Sequence, residues 1–201
     1  MVDTNDEWIT TRTGIKERRI LKEEGKGTSF LAIKAAEDLI RKTDLDPREI
    51  DLVIVSTATP DMKAASTAAY TATQIGAVNA FSYDLEAACS SFLFGMSTAA
   101  AYIESGRYKK ILLIGADKNS SFINYKDRAT CIIFGDGAGA VLFEPNDEGL
   151  GLQDEILRSN GEGREFLQAT YGGSSYPITQ EAFDQGKHYV FQDGRTVFKN
   201  A

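Results

Sequence analysis

The chain has 201 residues, 42% hydrophobic and 25% charged, with a formal net charge of −7 and a pI of about 4.9. That is globular composition, enough for one large domain or two small ones. The acidity argues against a nucleic-acid binder, which needs a basic face for phosphates. No apolar run has the length of a membrane span, and two cysteines with one histidine argue against a disulfide framework or a dedicated zinc site.

The opening Met1-Val-Asp-Thr-Asn-Asp-Glu7 is acidic and lacks the apolar core of a signal peptide, so the expected compartment is the reducing cytoplasm. Residues 6–20 mix acids, bases and polar groups. Thr28 or Ser29 can cap a helix over Phe30–Arg41, where Leu31, Ala35 and Leu39 follow helical spacing. Pro47-Arg-Glu-Ile50 reads as one helical turn. Asp51–Thr57 reads as a buried strand with a continuous β-branched run, of the kind found in parallel sheets. Ser66–Ile75 reads as a helix closed by Gly76, and Ala80–Leu85 as the next strand. Ser90–Ser105 reads as a helix apolar nearly all round, hence buried, and ended by Gly106. Tyr108–Gly115 is another buried strand. Cys131–Phe134 and Ala138–Phe143 read as short strands split by a tight turn at Gly135-Asp-Gly137. Gly149–Leu157 reads as an alternating strand. The pattern then weakens until the turn at Asp193-Gly194 and a helix beginning at Thr196. Strands alternating with helices predict an α/β fold with a mostly parallel sheet. Both ends read as cut.

Cys89 lies where the strand Ala80–Leu85 gives way to the helix Ser90–Ser105. A helix start offers unpaired N–H groups and the positive end of its dipole, which favour thiolate, the nucleophilic form. Ala87, Ala88, Ser90 and Ser91 leave room for a thioester to approach. The plain alternative is a small buried hydrophobe. Cys131 reads as a strand-interior core residue. Gly135-Asp-Gly-Ala-Gly-Ala140 has the spacing of a dinucleotide loop, but strand-like Val141-Leu-Phe143 and Pro145 follow where that motif needs a helix. Asp136 reads as a turn residue or a hydrogen-bond acceptor near the nucleophile, and a structural role is the better reading. Trp8 with Arg12 and Arg128 is either a partly covered surface aromatic or a purine-stacking group with arginines for phosphates. His188 has no local signature of a catalytic base.

Six stretches together resemble β-ketoacyl-acyl carrier protein synthase III, the condensing enzyme that starts bacterial type II fatty-acid synthesis. They are Asp6–Arg19, Val55–Asp61, Asp84–Phe92, Leu113–Asp117, Asp127–Ala140 and Asp193–Lys199. The resemblance implies an α/β thiolase-like fold, mostly the first of its two pseudo-repeated halves. It implies an N-terminal condensing-enzyme domain over residues 1–150. Residues 151–201 would be a linking segment and the start of the C-terminal half. Cys89 would take acetyl from acetyl-CoA, and malonyl-acyl carrier protein would decarboxylate and attack that thioester. The Cys89 N–H would form half of an oxyanion hole. Trp8 and Arg128 match the positions that sandwich the adenine of coenzyme A. Thr4, Arg12 and Thr13 match positions at the same mouth, and Phe198 an aromatic on the pantetheine wall. No metal or further cofactor is implied; the expected partners are acyl-CoA, malonyl-acyl carrier protein and a second copy in a homodimer, with no nucleic acid and no membrane.

The family's catalytic His and Asn have no counterpart before Ala201, so the resemblance implies that this chain alone loads an acyl group without condensing it. Losing one donor to a developing anion costs roughly 2.7–4 kcal/mol. Ser91 stands where many members have glycine, Ala65 where many have proline, and Asn200 where the residue is usually apolar. Competing readings are another thiolase-superfamily condensing enzyme and a non-catalytic fragment or pairing subunit.

Overall fold

The computed structural model describes residues 2–200. In order come α1 (Asp6–Thr13), α2 (Thr28–Thr43), β1 (Leu52–Ser56), α3 (Thr67–Gln74), β2 (Phe81–Leu85), α4 (Ser91–Glu104), β3 (Ile111–Lys118), α5 (Arg128–Cys131), β4 (Asp136–Phe143), β5 (Leu167–Ala169), α6 (Gln180–Asp184), β6 (Val190–Gln192) and α7 (Gly194–Asn200). The chain divides into two compact units, residues 21–118 with 137–157, and residues 2–20 with 119–136 and 158–200.

The first unit is built on a four-stranded sheet of order β2-β1-β3-β4, with β1 parallel to both β2 and β3. Leu52 stands opposite Phe81 and Ile111, and Ser56 opposite Leu85 and Gly115. Side chains alternate across the sheet. Val53, Val55, Leu112 and Ile114 meet Ala32 and Ala36 of α2 and Ala68 and Ala72 of α3. Leu52, Ile54, Ile111 and Leu113 meet Ala99, Phe92 and Met96 of α4. Both faces of β1 and β3 are therefore covered, and Leu52 to Val55 and Ile111 to Ile114 are apolar at every position instead of alternating. Gly95 lets α4 come close: a Cβ there would lie 2.6 Å from Leu113 Cδ1 and 3.1 Å from Ser56 Oγ.

Polar side chains at the carboxyl ends of the strands fasten the loops. The Asp84 carboxylate, near the end of β2, accepts from Ser66 Oγ (3.0 Å), Thr67 N–H (2.8 Å) and Ala68 N–H (2.6 Å), which satisfies the start of α3. Asp117 on β3 accepts from Thr57 Oγ1, Ala58 N–H and Thr59 Oγ1 at 2.9–3.1 Å.

Several expected elements differ. Helix α2 begins at Thr28, after Gly27, and neither Thr28 nor Ser29 caps it. Asp61 does that work from a distant loop, its carboxylate accepting from Ser29 N–H at 2.9 Å. Residues 6–13, unassigned in the sequence, form α1, with Asn5 Oδ1 accepting from Trp8 N–H at 2.8 Å as its cap. Helix α4 is not buried all round: Ser91, Gly95 and Ala99 are covered, while Leu93 is 55% exposed. The third strand starts three residues later than expected, at Ile111, where the apolar run itself begins. Cys131 ends the one-turn α5 instead of lying in a strand. Gly135 is therefore no turn between two strands; it is a close approach, where a Cβ would lie 3.3 Å from the Arg19 carbonyl. Gly149–Leu157 forms no strand, despite its alternation.

The second unit holds an antiparallel pair, β5 with β6, Leu167 opposite Gln192 and Ala169 opposite Val190. The Val190 N–H donates to the Phe122 carbonyl at 2.9 Å, and α5 packs on β6. Asp193 accepts from Thr196 N–H at 3.1 Å and Thr196 Oγ1 at 2.8 Å, which starts α7.

Candidate active site

The sheet unit carries Cys89. β2 ends at Leu85, whose carbonyl accepts from Thr57 N–H at 3.1 Å. Ala88–Ser90 then form a 3-10 turn, and α4 follows without a break. Cys89 is exposed in that turn, one residue ahead of Ser90, whose side chain leaves the helix start uncapped. The sulfur thus sits at a strand-to-helix junction.

The backbone in front of it is strained. Ala88 has φ +47°, a left-handed conformation that L-residues other than glycine seldom adopt. Two donors from one residue hold its carbonyl: Ser91 N–H closes the turn and Ser91 Oγ donates at 2.7 Å. Ser91 is itself 4% exposed, and its own carbonyl accepts from buried Ser56 Oγ at 3.1 Å. Ser90 N–H goes to the Ala87 carbonyl at 3.1 Å. The Cys89 amide takes no part in these bonds. Nothing in the sequence announces this arrangement, because alanine carries no signal for a left-handed φ.

The second unit gathers the remaining candidates. Trp8 and Arg12 lie one turn apart on α1, and the Arg12 guanidinium carbon is 4.3 Å from the indole centre. Arg128, at the start of α5, brings its guanidinium carbon to 4.8 Å from the same ring, and its Nη1 donates to the Asp3 carbonyl at 3.1 Å. Asp127 seats Arg128 by capping α5, accepting from Ala129 N–H (2.9 Å) and from the buried Thr130 hydroxyl (2.7 Å). The structure therefore brings Trp8, Arg12 and Arg128 together. Thr4 Oγ1 is buried with no hydrogen-bond partner among the described residues. Thr13 Oγ1 donates to the Ile9 carbonyl at 2.8 Å and accepts from Ile15 N–H at 3.1 Å, so it is committed to the end of α1. Phe198, on α7, is 86% exposed.

The other residues weighed from the sequence have structural employment. Asp136 accepts from Ser120 N–H (2.8 Å) and Ser120 Oγ (2.7 Å). Burial pushes the Cys131 thiol up, and the Asp127 carboxylate adds to that shift. His188 stacks on Phe183 at 4.6 Å between ring centres and lies 4.0 Å from the Tyr189 ring. Among the described residues, no cluster of three His, Cys, Asp or Glu side chains could hold a metal, and no helix is long and apolar enough to cross a membrane.

The family model for 3-oxoacyl-[acyl-carrier-protein (ACP)] synthase III matches residues 83–161, which include Cys89. Over all 201 residues the chain is 57% identical to β-ketoacyl-[acyl-carrier-protein] synthase III 2 of Bacteroides thetaiotaomicron, spanning 60% of that relative. It is 53% identical to the synthase III of Chlorobium chlorochromatii, spanning 62% of it. The likeness is to β-ketoacyl-[acyl-carrier-protein] synthase III. The chain thus spans about 60% of the length of the curated synthases III it matches. Among solved structures, the synthase III of Aquifex aeolicus VF5 superposes with a TM-score of 0.86 at 38% identity, over 98% of this chain and 59% of that one. The priming β-ketosynthase of the R1128 polyketide pathway gives a TM-score of 0.85 at 31% identity, over 98% and 58%. The architecture is accordingly part of the thiolase-like α/β fold of the synthases III.

Proposed function

We propose that this chain supplies the acyl-accepting half of a β-ketoacyl-acyl carrier protein synthase III. The observation that carries the reading is the exposed Cys89 at the head of α4, behind a strained residue and inside the segment that matches the family model.

The Cys89 thiolate attacks the acetyl carbonyl of acetyl-CoA. The oxyanion of the tetrahedral intermediate accepts from the Cys89 N–H, and one such donor is worth roughly 2.7–4 kcal/mol. The C–S bond to coenzyme A breaks, the thiolate of coenzyme A leaves, and acetyl stays on Cys89. In the complete enzyme, malonyl-acyl carrier protein then loses CO2. Its carbanion attacks the Cys89 thioester, releasing the cysteine thiolate and forming acetoacetyl-acyl carrier protein. Condensation needs donors for the malonyl thioester enolate, and His188, stacked on Phe183, is not assigned that role.

Trp8 and Arg128 are assigned the adenine of coenzyme A: a purine replaces the guanidinium over the indole, and the freed arginine covers its other face. Arg12 offers charge-assisted bonds to phosphate, and the Thr4 hydroxyl offers a donor with no partner among the described residues. Thr13 and Phe198 are assigned to the mouth and the pantetheine wall. A homodimer in the cytoplasm completes the reading.

Incubation with acetyl-CoA followed by peptide mass spectrometry tests it. The expected result is one acetyl group on the peptide that contains Cys89, absent in Cys89→Ala. Equal labelling of the parent and Cys89→Ala would overturn the assignment. The likeness to a priming β-ketosynthase supports a second reading, a starter condensing enzyme of another pathway. Comparing acyl-CoA chain lengths in the same assay separates the two.

A further inference from the structure

We infer that Ser91 is a positioning residue for acyl transfer, its hydroxyl aiming the Cys89 amide at the place where the oxyanion forms. The inference rests on the acyl-accepting role of Cys89 and adds the device that prepares it.

The argument starts from the peptide plane. The Ala88 carbonyl and the Cys89 N–H belong to one planar trans unit and point in opposite directions. Whatever fixes the carbonyl fixes the amide. The two donors on that carbonyl, Ser91 N–H and Ser91 Oγ at 2.7 Å, both come from the first turn of α4. The Cys89 N–H is thereby turned away from the helix start. The N–H donor would be present at any helix start. The hydroxyl is particular to this serine, and it acts on a carbonyl whose own residue is held at φ +47°. A left-handed alanine persists only where its surroundings over-determine it. Ser91 in turn does not float: Ser56, 2% exposed at the end of β1, donates its Oγ to the Ser91 carbonyl at 3.1 Å. Gly95 keeps the space in which Ser56 and α4 meet. A relay thus runs from the central strand through Ser56 and Ser91 to the peptide that carries the Cys89 N–H. Ser91 is 4% exposed, so its hydroxyl reaches the Ala88 carbonyl from within the fold.

Two reagents separate this role from plain support of the fold. Acylation by p-nitrophenyl acetate builds an oxyanion and needs no nucleotide recognition. Alkylation by iodoacetamide displaces iodide at carbon and builds none. Both are followed at Cys89 by peptide mass spectrometry. In Ser91→Ala, acylation is expected to fall about tenfold, the scale of one hydrogen bond, while alkylation stays within about twofold. Ser91→Thr, which keeps the hydroxyl, is expected to retain the parent ratio of the two rates. If Ser91→Ala does not fold, Ser91→Thr against Ser91→Val makes the same comparison with matched shapes. Equal slowing of both reactions, no slowing of acylation, or a parent that alkylates but never acylates would each overturn the inference. A parent acylated by the ester but not by acetyl-CoA would instead overturn the proposed function and leave Ser91's role standing.

Discussion

Arg128 lays its guanidinium 4.8 Å from the centre of the Trp8 ring, although one residue opens α5 and the other sits on the first helix of the chain. Arg12 approaches the same ring to 4.3 Å. Trp8 is the only tryptophan in the chain, so its fluorescence reports on this cluster alone. Coenzyme A is expected to quench that emission in a saturable titration. Arg128→Ala is expected to weaken the apparent affinity by about tenfold, as loss of one stacking partner should. Acylation of Cys89 by p-nitrophenyl acetate should stay at the parent rate. Unchanged affinity would return Trp8 and Arg128 to a purely structural pairing.

Gly95 lies where α4 comes close to Leu113 of β3. Gly95→Ala gains helix propensity of about 0.8–1 kcal/mol, yet its Cβ would lie 2.6 Å from Leu113 Cδ1. Overpacking of this kind costs about 1–3 kcal/mol and outweighs the gain. A lower thermal midpoint is expected; a raised one would show that Leu113 moves aside freely.

Asp84 satisfies three donors at the start of α3, on the strand that leads to Cys89. Asp84→Ala leaves Thr67 and Ala68 N–H without that acceptor, at a cost of about 1–3 kcal/mol. At this chain length that is a fall of about 2–4 °C per kcal/mol in the melting midpoint. Scanning calorimetry checks it, and a melting point equal to the parent's would contradict the capping role.

Tyr83, on β2, is pushed up to about 12 from the ordinary value of 10.0, first by burial and then by neighbouring Tyr102. An unfolded tyrosine ionises near its ordinary value and the folded one later. Its contribution to stability is therefore full below pH 10.0 and is lost as pH rises towards about 12. Thermal melts across that alkaline window should fall more steeply for the parent than for Tyr83→Phe. Parallel curves would mean that Tyr83 ionises alike in both states.

Much of the sheet unit is legible in the sequence. β1 and β3 announce themselves because a strand covered on both faces must be apolar at every position, and Val53 to Val55 and Ile111 to Ile114 are. α3 is legible because its cap is local, Ser66 Oγ accepting from Ala69 N–H at 3.1 Å. α1 is hidden because it buries only Ile9 and shows no apolar stripe. The Cys131 run misleads because Ile132 is buried after a one-turn helix, where periodicity has no length in which to appear. Gly149–Leu157 alternates without forming a strand.

Local chemistry in the order of residues already placed Cys89 between a strand and a helix, since apolar runs and small flanking residues are written along the chain. Folding alone decided which distant segments touch and at what distance. Asp61 reaching Ser29, Arg128 reaching Trp8, and Ser56 reaching Ser91 are contacts between segments far apart in sequence, and no local pattern encodes a partner's distance. The left-handed Ala88 is the clearest case: an isolated alanine avoids that conformation on steric grounds, and only hydrogen bonds assembled by α4 and β1 keep it there.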